Sequence, residues 1–184
     1  MKKIVENVLW EGKWLRAVDK VFEKDDGEII HWETVERQGS SRSVVIIAKM
    51  IPSGRFVFIK QYRQTVENWV VGFPAGLLDE NLTPEDQAQK ELFEETGYTG
   101  KVVKVSPLLR FSTGTNASWM NLVNMEIDES SEENLHPVQH LEKAEEISVH
   151  LKTRNEAQDF ILNEMNAGTQ VGSGVWYLFG NVLE

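Results

Sequence analysis

The chain has 184 residues, is 41% hydrophobic and carries a formal charge of −10 at pH 7. That length suits one domain with a small N-terminal extension, and the apolar fraction is enough for a real core. The acidic balance disfavours non-specific nucleic-acid binding, which needs a basic surface. The absence of cysteine removes disulfides, thiolate metal sites and a thiol nucleophile. No apolar run suggests a membrane span, and Met1-Lys2-Lys3 opens a mixed polar segment unlike a signal peptide, so a cytoplasmic protein is expected.

Alternation over residues 13–23 and 28–37 predicts two strands, joined by a hairpin turn at Asp25-Asp26-Gly27. The run Val44-Val45-Ile46-Ile47-Ala48 reads as a buried strand. Ser53-Gly54 then turns the chain into a strand over residues 56–63, and another covers residues 69–73. Residues 102–105, 119–127 and 146–151 are further strand candidates, with a polar loop at 112–116 and an exposed acidic stretch at 129–133. Asn155 is expected to cap a helix running to about Asn166 and ended by Gly168, and residues 175–183 are apolar enough to pack back on the core. Strands and helices mix without a βαβ rhythm, which predicts an α+β fold rather than a doubly wound sheet.

Between these elements lies the stretch around which the chain is organised, residues 73–98. Thr83 is placed as an N-cap, Pro84 at the first helical position and Gly97 as the C-terminal stop. On that helix Glu91, Glu94 and Glu95 share one face. Three carboxylates on one face repel one another, and a shared divalent cation with a taste for hard oxygen offsets the cost. A merely solvated acidic face is the alternative. The Pro-Ala-Gly turn before the helix tilts the balance toward a site.

Gly76, five residues, position 82, seven residues, and then Lys90-Glu91-Leu92-x-Glu94-Glu95-x-Gly97-Tyr98 resemble the Nudix box, G-x5-E-x7-R-E-U-x-E-E-x-G-U with U a bulky apolar residue. Leu82 and Lys90 depart from it, standing where the pattern has Glu and Arg. Lys60-Gln61-Tyr62-Arg63, Phe73-Pro74-Ala75-Gly76, Trp14 and the strand carrying His31-Trp32-Glu33 and Glu36-Arg37 resemble the ADP-ribose pyrophosphatase branch of that family. Gly72 stands where many of that branch carry Glu.

The resemblance implies an α/β/α sandwich around a mixed sheet, with residues 1–40 forming a small antiparallel sheet exchanged in a homodimer and residues 41–184 forming the hydrolase domain. It implies Mg²⁺, with Mn²⁺ as a substitute, held by Glu91, Glu95 and the carbonyl of Ala75. Glu94 would be a further ligand, a catalytic group, or the partner of Lys90. Glu145 would handle the attacking water, with Glu146 one register away as its competitor. Trp14 and Trp32 would stack on the nucleobase, while Trp10, Trp69, Trp119 and Trp176 are expected to pack. Arg37 and Arg63 would grip phosphate or ribose, because a guanidinium fork matches phosphate oxygens. The loop 112–118, with Gly114, would meet the sugar. The implied reaction is hydrolysis of a nucleoside diphosphate sugar, ADP-ribose above all. GDP-mannose or another nucleotide sugar, and a non-catalytic nucleotide-binding domain, stand as alternatives.

Overall fold

The computed structural model describes residues 1–180. Three antiparallel strands come first, β1 (Lys2–Glu11), β2 (Leu15–Glu23) and β3 (Ile29–Arg37), in the order β1-β2-β3. The turn between β2 and β3 falls where Asp25-Asp26-Gly27 places it, with Gly27 at φ 86°. The sequence pattern does not predict β1. Its residues are almost all exposed, and its pairing with β2 is interrupted between Lys3 and Val5 and between Val8 and Trp10, so it shows no clean alternation.

The larger sheet has nine strands: β4 (Arg42–Ile51), β5 (Phe56–Arg63), β6 (Asn68–Gly72), β7 (Ala75–Leu77), β8 (Lys101–Val105), β9 (Leu109–Arg110), β10 (Trp119–Asp128), β11 (Ile147–Lys152) and β12 (Gln170–Val171). β4 runs parallel to β10 along its whole length, and β6 runs parallel to β12, while the remaining pairs are antiparallel. β4 and β5 are paired only at Lys49 and Phe56. Beyond that point they part, so that β7 pairs with β4 while β11 pairs with β5.

The helices are α1 (Pro84–Thr96), α2 (Glu132–Leu135), α3 (Arg154–Asn166) and α4 (Ser173–Phe179). Both faces of the larger sheet are covered. On β4 the side chains of Val44, Ile46, Ala48 and Met50 join Ala88 and Leu92 of α1 in one core. Val45 and Ile47 point the other way, against a second core of Phe58, Val71, Phe73, Ala157, Ile161, Val175 and Phe179 built on α3 and α4. A period-two strand with apolar residues at both parities is buried on both sides, which makes this an α/β/α sandwich beside a small antiparallel sheet.

Two features differ from expectation. Thr153, not Asn155, caps α3, in a capping box with Glu156, and Ala167 precedes Gly168 at its end. Glu129 is not a free acid of the exposed stretch. Its carboxylate accepts from Ser53 N at 2.6 Å and from Arg55 at 2.8 Å and braces the β4–β5 turn. The apolar C-terminal segment packs back through Val175 and Phe179, while residues 181–183 lie outside the described residues. Among the described residues no helix is long and apolar enough to cross a membrane.

Candidate active site

The ends of α1 are set by its sequence. The Thr83 hydroxyl accepts from Asp86 N at 3.1 Å, Pro84 fills the first helical position, and Gly97 at φ 76° closes the helix by donating to Phe93 O. Gly97 has a second reason to be glycine, since a Cβ there would lie 2.3 Å from Val138 N. A capped helix of fixed phase then decides where each glutamate goes.

Glu95 is 1% exposed, and its Oε2 accepts from Ala75 N at 3.0 Å. Burial pushes its carboxyl up to about 8, against the pull of the Ala75 N–H; the nearby Glu91 and Glu145 raise it further and Arg63 lowers it. Glu91 is half-buried and is also raised, first by burial, while Oε1 accepts from Gln87 at 2.8 Å. Gly76 is the point of closest approach: a Cβ there would sit 1.9 Å from Glu91 Oε1. Glu94 is half-buried, and its carbonyl accepts from His140 N at 2.8 Å. Lys90 does not pair with Glu94. Its ammonium donates to Asp79 at 3.0 Å, and that hydrogen bond raises its pKa.

Glu145, half-buried on the loop before β11, lies close enough to both Glu91 and Glu95 for its charge to raise their carboxyls. Its Oε2 accepts from Glu142 N at 2.9 Å. Glu146 is exposed, and its carbonyl accepts from Tyr62 N on β5, so the two registers diverge. Arg63 ends β5 and opens on a cleft of 480 Å³ with Arg37, Arg42, Ala75, Gly76 and Trp119. Trp119, expected as packing, lines this cleft. Trp14 and Trp32 do not line it: within the chain both are exposed on the N-terminal sheet. Gly114 is exposed and outside the lining, whereas its loop docks on β3, with Thr115 O accepting from Val35 N at 3.0 Å and from the Thr34 hydroxyl at 2.6 Å.

Two contributors escaped the sequence reading. Gln87, 1% exposed, accepts from Asp79 N and donates to Glu91, so it holds a carboxylate to the turn entering the helix. Gln139 donates from one amide nitrogen to Glu95 O at 2.6 Å and to Ile147 O at 3.2 Å, tying α1 to the strand that follows Glu145. A Gln four residues before Glu91 on the same helix face is a readable signal. Gln139 gave none, because its partners are backbone groups of distant segments.

Among the described residues no three acidic or histidine side chains already converge as a cation cage. The donor chemistry nevertheless fits a hard divalent ion. Glu91 and Glu95 are oxygen donors kept together against burial and mutual repulsion, and the Ala75 backbone is fixed to Glu95 by a hydrogen bond.

The NUDIX domain family matches residues 39–164. The chain is 34% identical over 166 residues to putative nudix hydrolase 2 of Caenorhabditis elegans, covering 86% of this chain and 74% of that protein. It is 29% identical over 139 residues to the ADP-sugar pyrophosphatase of Mus musculus, covering 72% and 64% respectively. A solved ADP compounds hydrolase shares the fold, with a TM-score of 0.67 at 17% identity over 88% of this chain and 84% of that one. With the glutamates of α1 seated beneath Pro74-Ala75-Gly76 and two thirds of its length matched, the chain belongs to the Nudix family.

Proposed function

We propose that the protein is a Mg²⁺-dependent hydrolase of nucleoside diphosphate sugars, converting ADP-ribose to AMP and ribose 5-phosphate. The observation that carries this reading is the pair Glu91 and Glu95, held against Gly76 and Ala75 at the wall of an arginine-lined cleft. The similarity to an ADP-sugar pyrophosphatase supports the substrate class.

Glu91, Glu95 and the Ala75 carbonyl would hold the ion. When bound, Mg²⁺ would neutralise diphosphate oxygens and lower the pKa of a water. Arg63 and Arg37 orient the diphosphate through bidentate hydrogen bonds. Glu145 takes a proton from the attacking water as its oxygen bonds to one phosphorus. The bridging P–O bond breaks, and the departing phosphate keeps the bridging oxygen, so two phosphate monoesters result. Trp14 and Trp32 take the base at a homodimer interface formed by exchange of residues 1–40, which the exposed apolar surface of the N-terminal sheet supports.

The test is incubation with ADP-ribose, GDP-mannose and UDP-glucose in the presence of Mg²⁺. Phosphate monoesters should appear, fastest from ADP-ribose, and Glu145→Gln should lower kcat by about 10²–10⁴-fold, in the range of a lost general base. No monoester from any of the three overturns the proposal. A loss on Glu146→Gln that matches or exceeds that of Glu145→Gln moves the base to the neighbouring residue.

A further inference from the structure

Four of the seven arginines of this acidic chain, Arg37, Arg42, Arg63 and Arg110, line two contiguous cavities. The 480 Å³ cleft beside Ala75 and Gly76 opens, through Arg37, Ser41, Ser118 and Trp119, into a 300 Å³ annex that also holds Arg110 and Glu36. Elsewhere the arginines have partners. Arg16 and Arg55 sit in ion pairs, and Arg154 lies over the ring of Phe179. Arg37, Arg42 and Arg63 have no side-chain hydrogen bond or ion pair among the described residues.

The annex is not neutralised from within. Glu36 is its one acid, and Arg16 at 2.6 Å and Lys20 at 2.5 Å, both outside the annex, already occupy that carboxylate. Arg110 is held flat, its guanidinium carbon 3.2 Å from the centroid of the Trp119 ring, while one nitrogen donates to Ala117 O. Stacking fixes the plane of the guanidinium and leaves its other edge as a preorganised donor. It leaves the charge of Arg110 without an acidic partner among the described residues. The diphosphate of the proposed substrate is served by Arg63 and by Arg37, which lines both cavities, and this leaves Arg110 with uncompensated charge next to the Ser41 and Ser118 hydroxyls.

Building on the nucleoside diphosphate reading, we infer that the annex binds a third anionic group beyond the diphosphate, a phosphate monoester or a carboxylate borne by the nucleoside or by the sugar. Two matched pairs of probes distinguish the sources by calorimetry on the full chain: adenosine 2′,5′-bisphosphate against AMP, and glucuronate 1-phosphate against glucose 1-phosphate. In one pair the member with the additional anionic group should bind about tenfold more tightly, the size expected for one charge-assisted bidentate contact. Arg110→Ala should collapse that ratio toward one, and Arg110→Lys should restore only part of it. Equal affinities within both pairs, or a ratio that survives Arg110→Ala, overturn the inference. The ratio is a binding measurement on the wild type, so it decides the matter whether or not ADP-ribose is hydrolysed. Absence of hydrolysis with the ratio intact removes the reaction proposed above and leaves the annex.

Discussion

A methyl group at position 76 has nowhere to go except into the carboxylate of Glu91. Because the overlap is with a side chain, Gly76→Ala should leave the fold standing and displace the carboxylate. A misplacement of about 1 Å at a catalytic centre costs about 100-fold. We expect a loss of that size in kcat for ADP-ribose, with an unchanged far-ultraviolet circular dichroism spectrum. Wild-type turnover by this variant would remove Gly76 from the site's architecture. The spacing of Glu91, Glu94 and Glu95 made their common face legible, because helix period alone dictates it. It could not rank them. Glu95 is fully buried while Glu91 and Glu94 are half-buried, and that order is imposed by β7 and the loop before β11. Lys90 shows the same limit, since its partner Asp79 lies eleven residues away across a turn.

Local chemistry fixes the ends of α1, and Thr83, Pro84 and Gly97 could therefore be read directly. The docking of the loop between α2 and β11 depends on tertiary contacts and could not. His140 N and Gln139 Nε2 seize the carbonyls of Glu94 and Glu95, and the same Gln139 nitrogen reaches Ile147 O. Gln139→Ala frees the carbonyls of Glu95 and Ile147, at a net cost of about 1 kcal/mol per lost hydrogen bond. It should lower kcat about tenfold while KM stays within about twofold, because it loosens the placement of Glu145 and touches no cleft residue. An equal fall in kcat on a Glu145→Gln background would show that Gln139 acts elsewhere. On β3, Glu36 is held below the usual carboxylate range, first by its hydrogen bond from Lys20 and then by Arg16. A depressed folded pKa contributes stability that is present above the unfolded value and is lost as pH falls through the folded one. Stability of the wild type should therefore drop on acidification below about pH 4.5. Glu36→Gln should flatten that part of the curve, measured by urea denaturation across pH 3–6.

At the scale of the whole molecule, the two sheets differ in how they dispose of apolar surface. The nine-stranded sheet is covered on both faces by helices, which is why its longer strands read as apolar runs, whereas the two- and three-residue strands β7, β9 and β12 are too short to show a pattern. The N-terminal sheet is tied to the larger sheet by the contact of Thr34 and Val35 with the 115–116 segment, and it leaves Val5, Val8, Leu9, Trp10, Trp14 and Trp32 exposed. Among the described residues its first strand pairs only with β2, so the ten-residue strand leaves one backbone edge open beside apolar side chains. An open, apolar edge of that length either aggregates or finds a partner, and a second copy of the same sheet supplies one of matching character. A homodimer seated there would bring Trp14 and Trp32 within reach of a neighbouring cleft, a placement the single chain does not provide. The full chain should sediment as a dimer at micromolar concentration. Combined Val8→Asp and Trp10→Asp should yield a monomer whose larger sheet still folds, because neither residue belongs to its two cores. If Trp14 and Trp32 take the base across that interface, the monomer should lose ADP-ribose affinity by about tenfold or more, the loss of one stacked base contact being worth about 1–3 kcal/mol. A wild type that sediments as a monomer, or a monomeric variant with undiminished affinity, would return those two tryptophans to ordinary surface residues.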